Sequence, residues 1–173
     1  RPLPAGESGE IAVRWPDPVM FLGYWGQPEK TAEKFVGDWL RTGDEGRMDE
    51  EGHVFFGARV DDVITSSGYR IGPSEIEDCL AGHPAVVMAA AVGVPDPIRT
   101  EAVRAFVVLR QGAPREGLES ALMARVRERV SPHVVPREVV FVESLPMTAT
   151  GKIQRRLLRE EAAGGRGPTG AHA

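Results

Sequence analysis

Two charged side chains lie in short glycine-containing segments that could bring them against an anionic or hydroxyl-bearing ligand. Lys152 ends a Thr/Gly-rich loop, residues 146–152, whose small residues let the backbone approach a ligand closely. A lysine there supplies a mobile positive charge between groups that repel each other. Asp44 ends residues 39–44, and its carboxylate has two acceptor oxygens, enough for both hydroxyl protons of a ribose diol. On composition alone, a solvated lysine and a turn aspartate are the default interpretations.

A third segment, residues 57–77, combines consecutive charged residues, a glycine turn and the start of a helix. Together with the other two segments, in this order, it resembles the AMP-forming acyl-CoA synthetases of the adenylate-forming superfamily. Residues 66–73, Ser-Ser-Gly-Tyr-Arg-Ile-Gly-Pro, are especially similar to the medium-chain members. The resemblance covers residues 6–161, which correspond to the final third of such an enzyme.

The resemblance implies roles at the nucleotide for four residues and a hinge role for a fifth. Lys152 would be the catalytic residue, with its cation where a substrate carboxylate meets the α-phosphate of ATP. Asp44 and Arg59 would hold the ribose and phosphate side of ATP or AMP, and Arg70 would lie near a phosphate. Asp61 would be the hinge about which a small C-terminal domain swings between half-reactions. A surface salt bridge is the structural alternative for Arg59.

The resemblance also implies a surface for CoA. Its phosphates make arginines near its adenine end expected. The predicted CoA-binding residues include a loop that lines the pantetheine path and several positions later in the chain: Ser67, Gly68, Tyr69, Arg99, Arg127, Val135, Pro136 and Arg137. Each of the later arginines is individually as well explained as a solvated surface charge.

The parent enzyme implied by the resemblance converts a fatty acid, ATP and CoA into acyl-CoA, AMP and diphosphate through an acyl-adenylate. Its phosphate loop, its Mg²⁺-binding glutamate and its acyl pocket are expected before this chain. We therefore expect a C-terminal portion whose partner is the missing N-terminal domain, and no turnover by the portion alone. Two alternatives remain: a ligase that loads a carrier protein, and a free-standing nucleotide- and CoA-binding regulatory module.

The elements that must position these residues follow from local patterns. Ser74 followed by Glu77 predicts a capping box at the start of a helix. Apolar residues every four positions predict an amphipathic helix over 117–131. We predict strands at 9–14, 53–57, 63–65, 86–94, 102–109 and 138–142, and helices at 28–35, 75–81, 117–131 and after Lys152, with turns at 49–52 and 95–97.

Irregular alternation of these elements predicts an α+β fold. Residues 1–60 are expected to be the β-rich end of a large N-terminal domain. Residues 61–161 are expected to form a mobile α+β domain with a three-stranded sheet and flanking helices, and residues 162–173 a flexible tail. A dinucleotide-like glycine pattern at 165–170 has no strand before it and is dismissed.

Composition excludes several classes of partner. A net charge of −4 and a pI near 5.6 argue against nucleic acid or an anionic membrane surface. No apolar run approaches the roughly 20 residues of a membrane span. A single cysteine, Cys79, leaves a reducing compartment as the expectation, cytoplasmic or, in a eukaryote, the mitochondrial matrix. The scattered histidines predict no structural metal.

Overall fold

The computed structural model describes residues 1–164, which form two compact units, Arg1–Asp61 and the part of the chain from Asp62 onward. The predicted tail falls partly, and the glycine pattern at 165–170 wholly, outside the described residues.

Unit 1 is a four-stranded antiparallel sheet. The elements are β1 (Ser8–Arg14), α1 (Pro28–Ala32), β2 (Phe35–Val36), β3 (Trp39–Met48) and β4 (Val54–Arg59). The central strand is β3, which pairs with all the others: the strand order is β1-β3-β2, and β4 pairs with the later residues of β3. The sequence did not predict β2 or β3, because glycines and charged residues interrupt the apolar alternation of β3.

The turn after β3 closes a hairpin, as its acidic, glycine-ended sequence predicts. The Asp49 N–H donates to the His53 carbonyl across 3.1 Å, and Gly52 has a φ of +86°, which glycine adopts without strain. This hairpin joins β3 to β4 and brings the ends of both predicted nucleotide-binding segments onto neighbouring strands.

Unit 2 contains a five-stranded sheet, where a three-stranded sheet was predicted. The strands are β5 (Ile64–Ser66), β6 (Tyr69–Ile71), β7 (Val86–Asp96), β8 (Thr100–Leu109) and β9 (Glu138–Val142). Their order in the sheet is β6-β5-β8-β7, and β9 pairs with β8 in parallel. The two additional strands are the short β5–β6 hairpin: a strand at 63–65 was predicted but not assigned to this sheet, and the three-residue β6 was not predicted.

Both faces of this sheet are covered. One face packs against α2 (Pro73–Ala81) and α3 (Leu118–Arg129), and the other packs against α4 (Arg155–Gly164). Consecutive side chains of β7 point to alternate faces of the sheet. Ala89 and Ala91 belong to the core on the α2–α3 face, and Ala90 and Val92 belong to the core on the α4 face.

The predicted capping box at α2 is wrong. Gly72 is the N-cap, and no side chain caps the helix. Glu77 is instead directed to the sheet, where its Oε1 accepts the Ala91 N–H at 2.9 Å. The predicted start of the flexible tail at 162 is also corrected, because α4 continues to Gly164. No helix within residues 1–164 combines the length and apolar character that a bilayer crossing requires.

Candidate functional site

The predicted nucleotide residues of unit 1 are adjacent. Asp44 on β3 lies directly opposite Arg59 on β4, and Arg59 Nη1 donates to Asp44 Oδ1 at 3.1 Å. The two side chains are 36% and 47% exposed, so both remain accessible to a ligand. The antiparallel register therefore places a carboxylate and a guanidinium side by side on one surface.

Residues before Asp44 fix this geometry. Gly43 has a φ of +80°, and a Cβ there would lie 3.0 Å from Arg59 Nη2, so a side chain would be both strained and crowded. The Thr42 hydroxyl donates to the Ile11 carbonyl at 2.8 Å and accepts the Asp44 N–H at 3.1 Å. The Asp44 backbone is thereby tied to the neighbouring strand.

Arg59 also donates from Nε to Asp61 Oδ1 at 3.3 Å. The surface salt bridge that was the structural alternative for Arg59 is therefore present, in addition to the pairing of Arg59 with Asp44. Asp61 is the last residue of unit 1. An open cleft of about 670 Å³ adjoins this pair and is lined by charges of both signs, among them Glu10, Lys34 and Arg41. A cleft of this polarity suits a charged or polyhydroxylated ligand.

In unit 2, Ser67 and Gly68 form the two-residue turn of the β5–β6 hairpin. Their φ angles are 51° and 84°. Positive φ at both central residues is what a type I′ turn requires, and it matches the twist of the flanking strands. No protein atom lies within 4 Å of a Cβ built at Gly68 within the described part of the chain, so the backbone there faces open space.

Tyr69 stacks on His133, with ring centroids 4.6 Å apart and planes inclined by 17°. His133 belongs to a short 3₁₀ turn, Pro132–Val134, and both rings are exposed. Sequence reasoning did not single out His133. Nothing local signals it, because the stacking partner is far away along the chain.

Arg99 and Arg137 come together at the same end of the sheet, around Asp96. The Ile98 and Arg99 N–H groups donate to Asp96 Oδ1 at 2.9 and 2.8 Å. These hydrogen bonds, and then the positive charges of Arg99 and Arg137, hold the pKa of Asp96 below its usual value. The Ser67 N–H donates to the Arg99 carbonyl at 2.9 Å, which connects this cluster to the hairpin turn.

The remaining predicted CoA residues are placed differently. Val135 and Pro136 follow the 3₁₀ turn, and Pro136 is fully buried, so its ring cannot contact a ligand. The Arg137 N–H donates to the Val103 carbonyl at 2.8 Å, and the Arg137 side chain is exposed to solvent. Arg127 is exposed on α3, and within residues 1–164 no hydrogen bond or ion pair joins it to the hairpin.

Arg70 is exposed on β6, directly after Tyr69. Successive strand residues alternate in direction, so its side chain leaves the hairpin on the face opposite to Tyr69. The hairpin therefore presents one predicted CoA residue and one predicted phosphate-binding residue on different sides.

Lys152 is carried by a tight reverse loop. Met147 pairs with Ile153, and the Thr148 N–H donates to the Lys152 carbonyl at 2.8 Å. The Lys152 N–H returns a bond to Thr148 Oγ1 at 3.0 Å, and Gly151 supplies the φ of +80° that the turn needs. The side chain of Lys152 is exposed, and within the described chain no carboxylate pairs with its ammonium group. A defined backbone thus presents a free cation.

An ion-pair network missed by sequence reasoning lies just after this loop. Arg155 binds Glu77 through two hydrogen bonds, of 2.7 and 3.1 Å, and contacts Asp62 at 3.3 Å. Arg159 donates to the other Asp62 oxygen at 2.6 Å. Burial alone would lower the pKa of Arg155, but Glu77 and Asp62 outweigh it and raise that pKa. We name these four residues the α4 ion network.

Asp49, Glu51 and His53 gather at the β3–β4 hairpin tip, although the histidines were predicted to lack ligand spacing. The grouping follows from the turn itself, because Asp49 Oδ1 accepts the Glu51 and His53 N–H groups. These bonds lower the pKa of Asp49, the His53 N–H contributing most. We assign no ligand to this exposed cluster.

Comparison with known proteins gives a consistent result. Residues 75–152 match the family model described as the AMP-binding enzyme C-terminal domain. The chain is 47% identical over 168 residues to the human acyl-coenzyme A synthetase ACSM1, mitochondrial, an alignment that covers 94% of this chain and 29% of that protein.

Two solved structures are similar as well. ATP-bound MatB from Rhodopseudomonas palustris superposes with a TM-score of 0.79 at 36% identity, over 91% of this chain and 31% of that one. The amide bond synthetase McbA from Marinactinospora thermotolerans gives a TM-score of 0.78 at 42% identity, over 93% and 32%. The chain thus spans about a third of the length of the proteins it matches.

Proposed function

We propose that the parent protein of this chain activates a fatty acid with ATP and transfers the acyl group to CoA. Residues 75–152 belong to the AMP-binding enzyme C-terminal domain family, and the chain corresponds to the C-terminal part of AMP-forming acyl-CoA synthetases of the medium-chain type. The observation that carries this proposal is the exposed Lys152 on a hydrogen-bonded reverse loop, in a chain similar to an ATP-bound structure over 91% of its length.

In this proposal unit 1 supplies part of the nucleotide site. Asp44 accepts hydrogen bonds from the ribose hydroxyls, since an ionised carboxylate is an acceptor at both oxygens. Arg59, 3.1 Å from Asp44, orients that carboxylate and offers its remaining N–H groups to the nucleotide. Arg70 would approach a phosphate. The adjoining cleft, lined by charges of both signs, is consistent with such a ligand.

Lys152 supplies the cation of the adenylation step. The substrate carboxylate attacks the α-phosphorus, the bond to diphosphate breaks, and negative charge builds up on the phosphoryl oxygens. An ammonium group that is already free of protein carboxylates stabilises this charge without first breaking an ion pair. Mg²⁺ accompanying ATP would take its ligands from residues outside this chain, and no step here depends on it.

The second step would use the other side of unit 2. Lys152 precedes α4, which packs on one face of the sheet, whereas Tyr69 stacks on His133 beside the α2–α3 face. One rigid unit cannot present both faces to the same acyl group at once. Rotation about Asp61 between the half-reactions would resolve this conflict, and Ser67, Gly68, Arg99 and Arg137 would then meet CoA.

Replacing Lys152 with alanine in the full-length parent tests the proposal. We expect acyl-adenylate formation to fall by about 10²–10³-fold, because one preorganised electrostatic contact is lost. Thioester formation from pre-made acyl-adenylate should be largely retained, since Lys152 would have rotated away. Diphosphate exchange and thioester assays measure the two steps separately.

Arg156→Ala is the matched control, because Arg156 is an exposed cation nearby that pairs only with Glu160 among the described residues. An equal loss in both half-reactions for Lys152→Ala, or a similar loss for Arg156→Ala, would contradict the assigned role. The isolated chain should show no turnover.

The acceptor needs its own test, because a relative of similar identity is an amide bond synthetase. Pre-made acyl-adenylate should be offered to the parent with CoA, a carrier protein or an amine. The arginines around Asp96 favour CoA and its phosphates. Product only with a carrier protein or an amine would replace CoA in this proposal. Nucleotide binding without any adenylate formation by the parent would favour a regulatory module.

The compartment stays a prediction. The human relative carries a mitochondrial designation in its name, which belongs to that protein. The lone Cys79, half-buried in α2, is compatible with any reducing compartment.

A further inference from the structure

The β5–β6 hairpin is attached to its sheet through very few backbone contacts. Within the described residues, β5 pairs with β8 at a single position, Ser66 opposite Thr100. At the preceding residue a side chain replaces the backbone acceptor: the Thr65 N–H donates to Glu101 Oε2 at 2.6 Å. The carboxylate of Glu101 thus continues the ladder where the two strands diverge.

A glycine on the next strand makes room for this carboxylate. Gly93 lies within β7 and is buried. A Cβ there would lie 2.6 Å from both Cδ and Oε1 of Glu101. Real Cβ atoms do not approach so closely, so an alanine at this position would displace the carboxylate. Space, rather than backbone conformation, explains this glycine.

We propose that Glu101 is a positioning residue that holds the β5–β6 hairpin in the geometry that receives CoA. This inference rests on the function proposed above. Glu101 itself would not touch CoA. It would act through Thr65 on the turn residues Ser67, Gly68 and Tyr69.

The hairpin needs such support because it is small. Two three-residue strands joined by a two-residue turn are marginal on their own. When the ordered state is only partly populated, the apparent affinity for a ligand that requires it falls by that fraction. Removing one anchoring hydrogen bond should therefore weaken CoA use much more than adenylation, in which Arg70 is the one hairpin residue with an assigned role.

The test uses the full-length parent enzyme with Glu101→Ala. We expect the KM for CoA to rise about tenfold, the equivalent of one hydrogen bond to a charged group. Adenylate formation should fall much less, by about twofold, because Lys152 and the nucleotide residues of unit 1 lie outside the hairpin and Arg70 is its one residue assigned to that step. Glu101→Gln keeps an acceptor oxygen and should remain close to wild type, and Glu116→Ala is an exposed glutamate control.

Gly93→Ala tests the same contact from the other side. It should raise the KM for CoA to a similar extent while leaving every charge in place. If it acts through Glu101, the double variant Gly93→Ala/Glu101→Ala should be no worse than Glu101→Ala alone. Additive effects in the double variant would overturn the inference.

Amide hydrogen exchange of residues 64–71 in the present chain provides a readout that does not depend on activity. Glu101→Ala and Gly93→Ala should accelerate exchange there, and Glu101→Gln should not. An unchanged KM for CoA, an equal loss in both half-reactions, or unchanged exchange would each overturn the inference. If Glu101→Ala does not fold, Gly93→Ala and Glu101→Gln decide it.

A wild-type parent that makes no acyl-CoA would refute the proposed function instead. The exchange measurement would still judge whether Glu101 holds the hairpin.

Discussion

At the residue scale, two residues near the β5–β8 bridge adopt a backbone conformation that is rare for L-residues. Thr100 has a φ of 74° and Ser67 a φ of 51°. For a β-branched residue such as Thr100 this is a genuine outlier, and it costs about 1–2 kcal/mol. The conformation is retained where the neighbouring Arg99 carbonyl accepts the Ser67 N–H. Local strain and the proposed CoA surface thus coincide, as strained backbone does at many functional sites.

Thr100→Gly should stabilise unit 2. Relief of the positive-φ strain exceeds the extra chain entropy of glycine, so we expect a gain of about 0.5–1 kcal/mol in the free energy of unfolding. Urea denaturation followed by far-UV circular dichroism measures this gain. Thr100→Ala, which keeps a Cβ at positive φ, should gain less. A destabilised Thr100→Gly variant would show that the threonine side chain makes a contact worth more than its strain.

At the element scale, the α4 ion network connects three separate parts of unit 2. Asp62 begins the unit, Glu77 lies on α2, and Arg155 opens α4 directly after the Lys152 loop. The Arg155 side chain is 19% exposed, and those of Asp62 and Glu77 are 15% and 12% exposed. A largely buried guanidinium that satisfies two carboxylates fixes α4, and with it the segment that carries Lys152.

Arg155→Met should lower the free energy of unfolding of unit 2 by about 2–4 kcal/mol, because it leaves the largely buried Glu77 carboxylate without its cation, while Asp62 keeps Arg159. Arg156→Ala, on the same helix but 74% exposed, should change it by less than about 0.5 kcal/mol. Far-UV circular dichroism in urea measures both. Equal effects of the two arginine variants would contradict this account.

At the scale of the whole molecule, the hydrophobic core is divided very unequally. Within the described chain, Ala58 is the one core residue of unit 1, and every other buried hydrophobic residue lies in unit 2. Unit 1 instead exposes large apolar side chains, including Leu22, Trp25 and Phe56. Exposed apolar surface of this extent is typical of a face that another protein surface covers.

Residues 62–164 produced alone should therefore fold, whereas residues 1–61 alone should not. The first segment has its own two-sided core, and the second has too little buried apolar area to offset its conformational entropy. Thermal denaturation followed by circular dichroism should give a cooperative transition for the first segment only. The absence of a transition for residues 62–164 would show that unit 2 depends on the rest of the chain.

Much of the secondary structure and the family follow from the sequence alone, because both depend on patterns within contiguous stretches of residues. The strands at 86–94, 102–109 and 138–142 and the helix at 117–131 are found close to their predicted bounds, since apolar periodicity is a local signal. The family resemblance is confirmed by a relative at 47% identity. The roles assigned to Asp44, Arg59 and Lys152 stay predictions that the geometry makes testable.

Only the tertiary structure decided which distant side chains meet. Glu77 satisfies the local rule for a capping box, yet it turns to Arg155, 78 residues away. Glu101 reaches Thr65 across 36 residues, and Tyr69 finds His133. The spacing of residues along the chain does not encode such pairs, because they depend on how strands and helices pack. Sequence motifs therefore identified the residues that could do chemistry, and the packing of the sheet selected the residues that hold them in place.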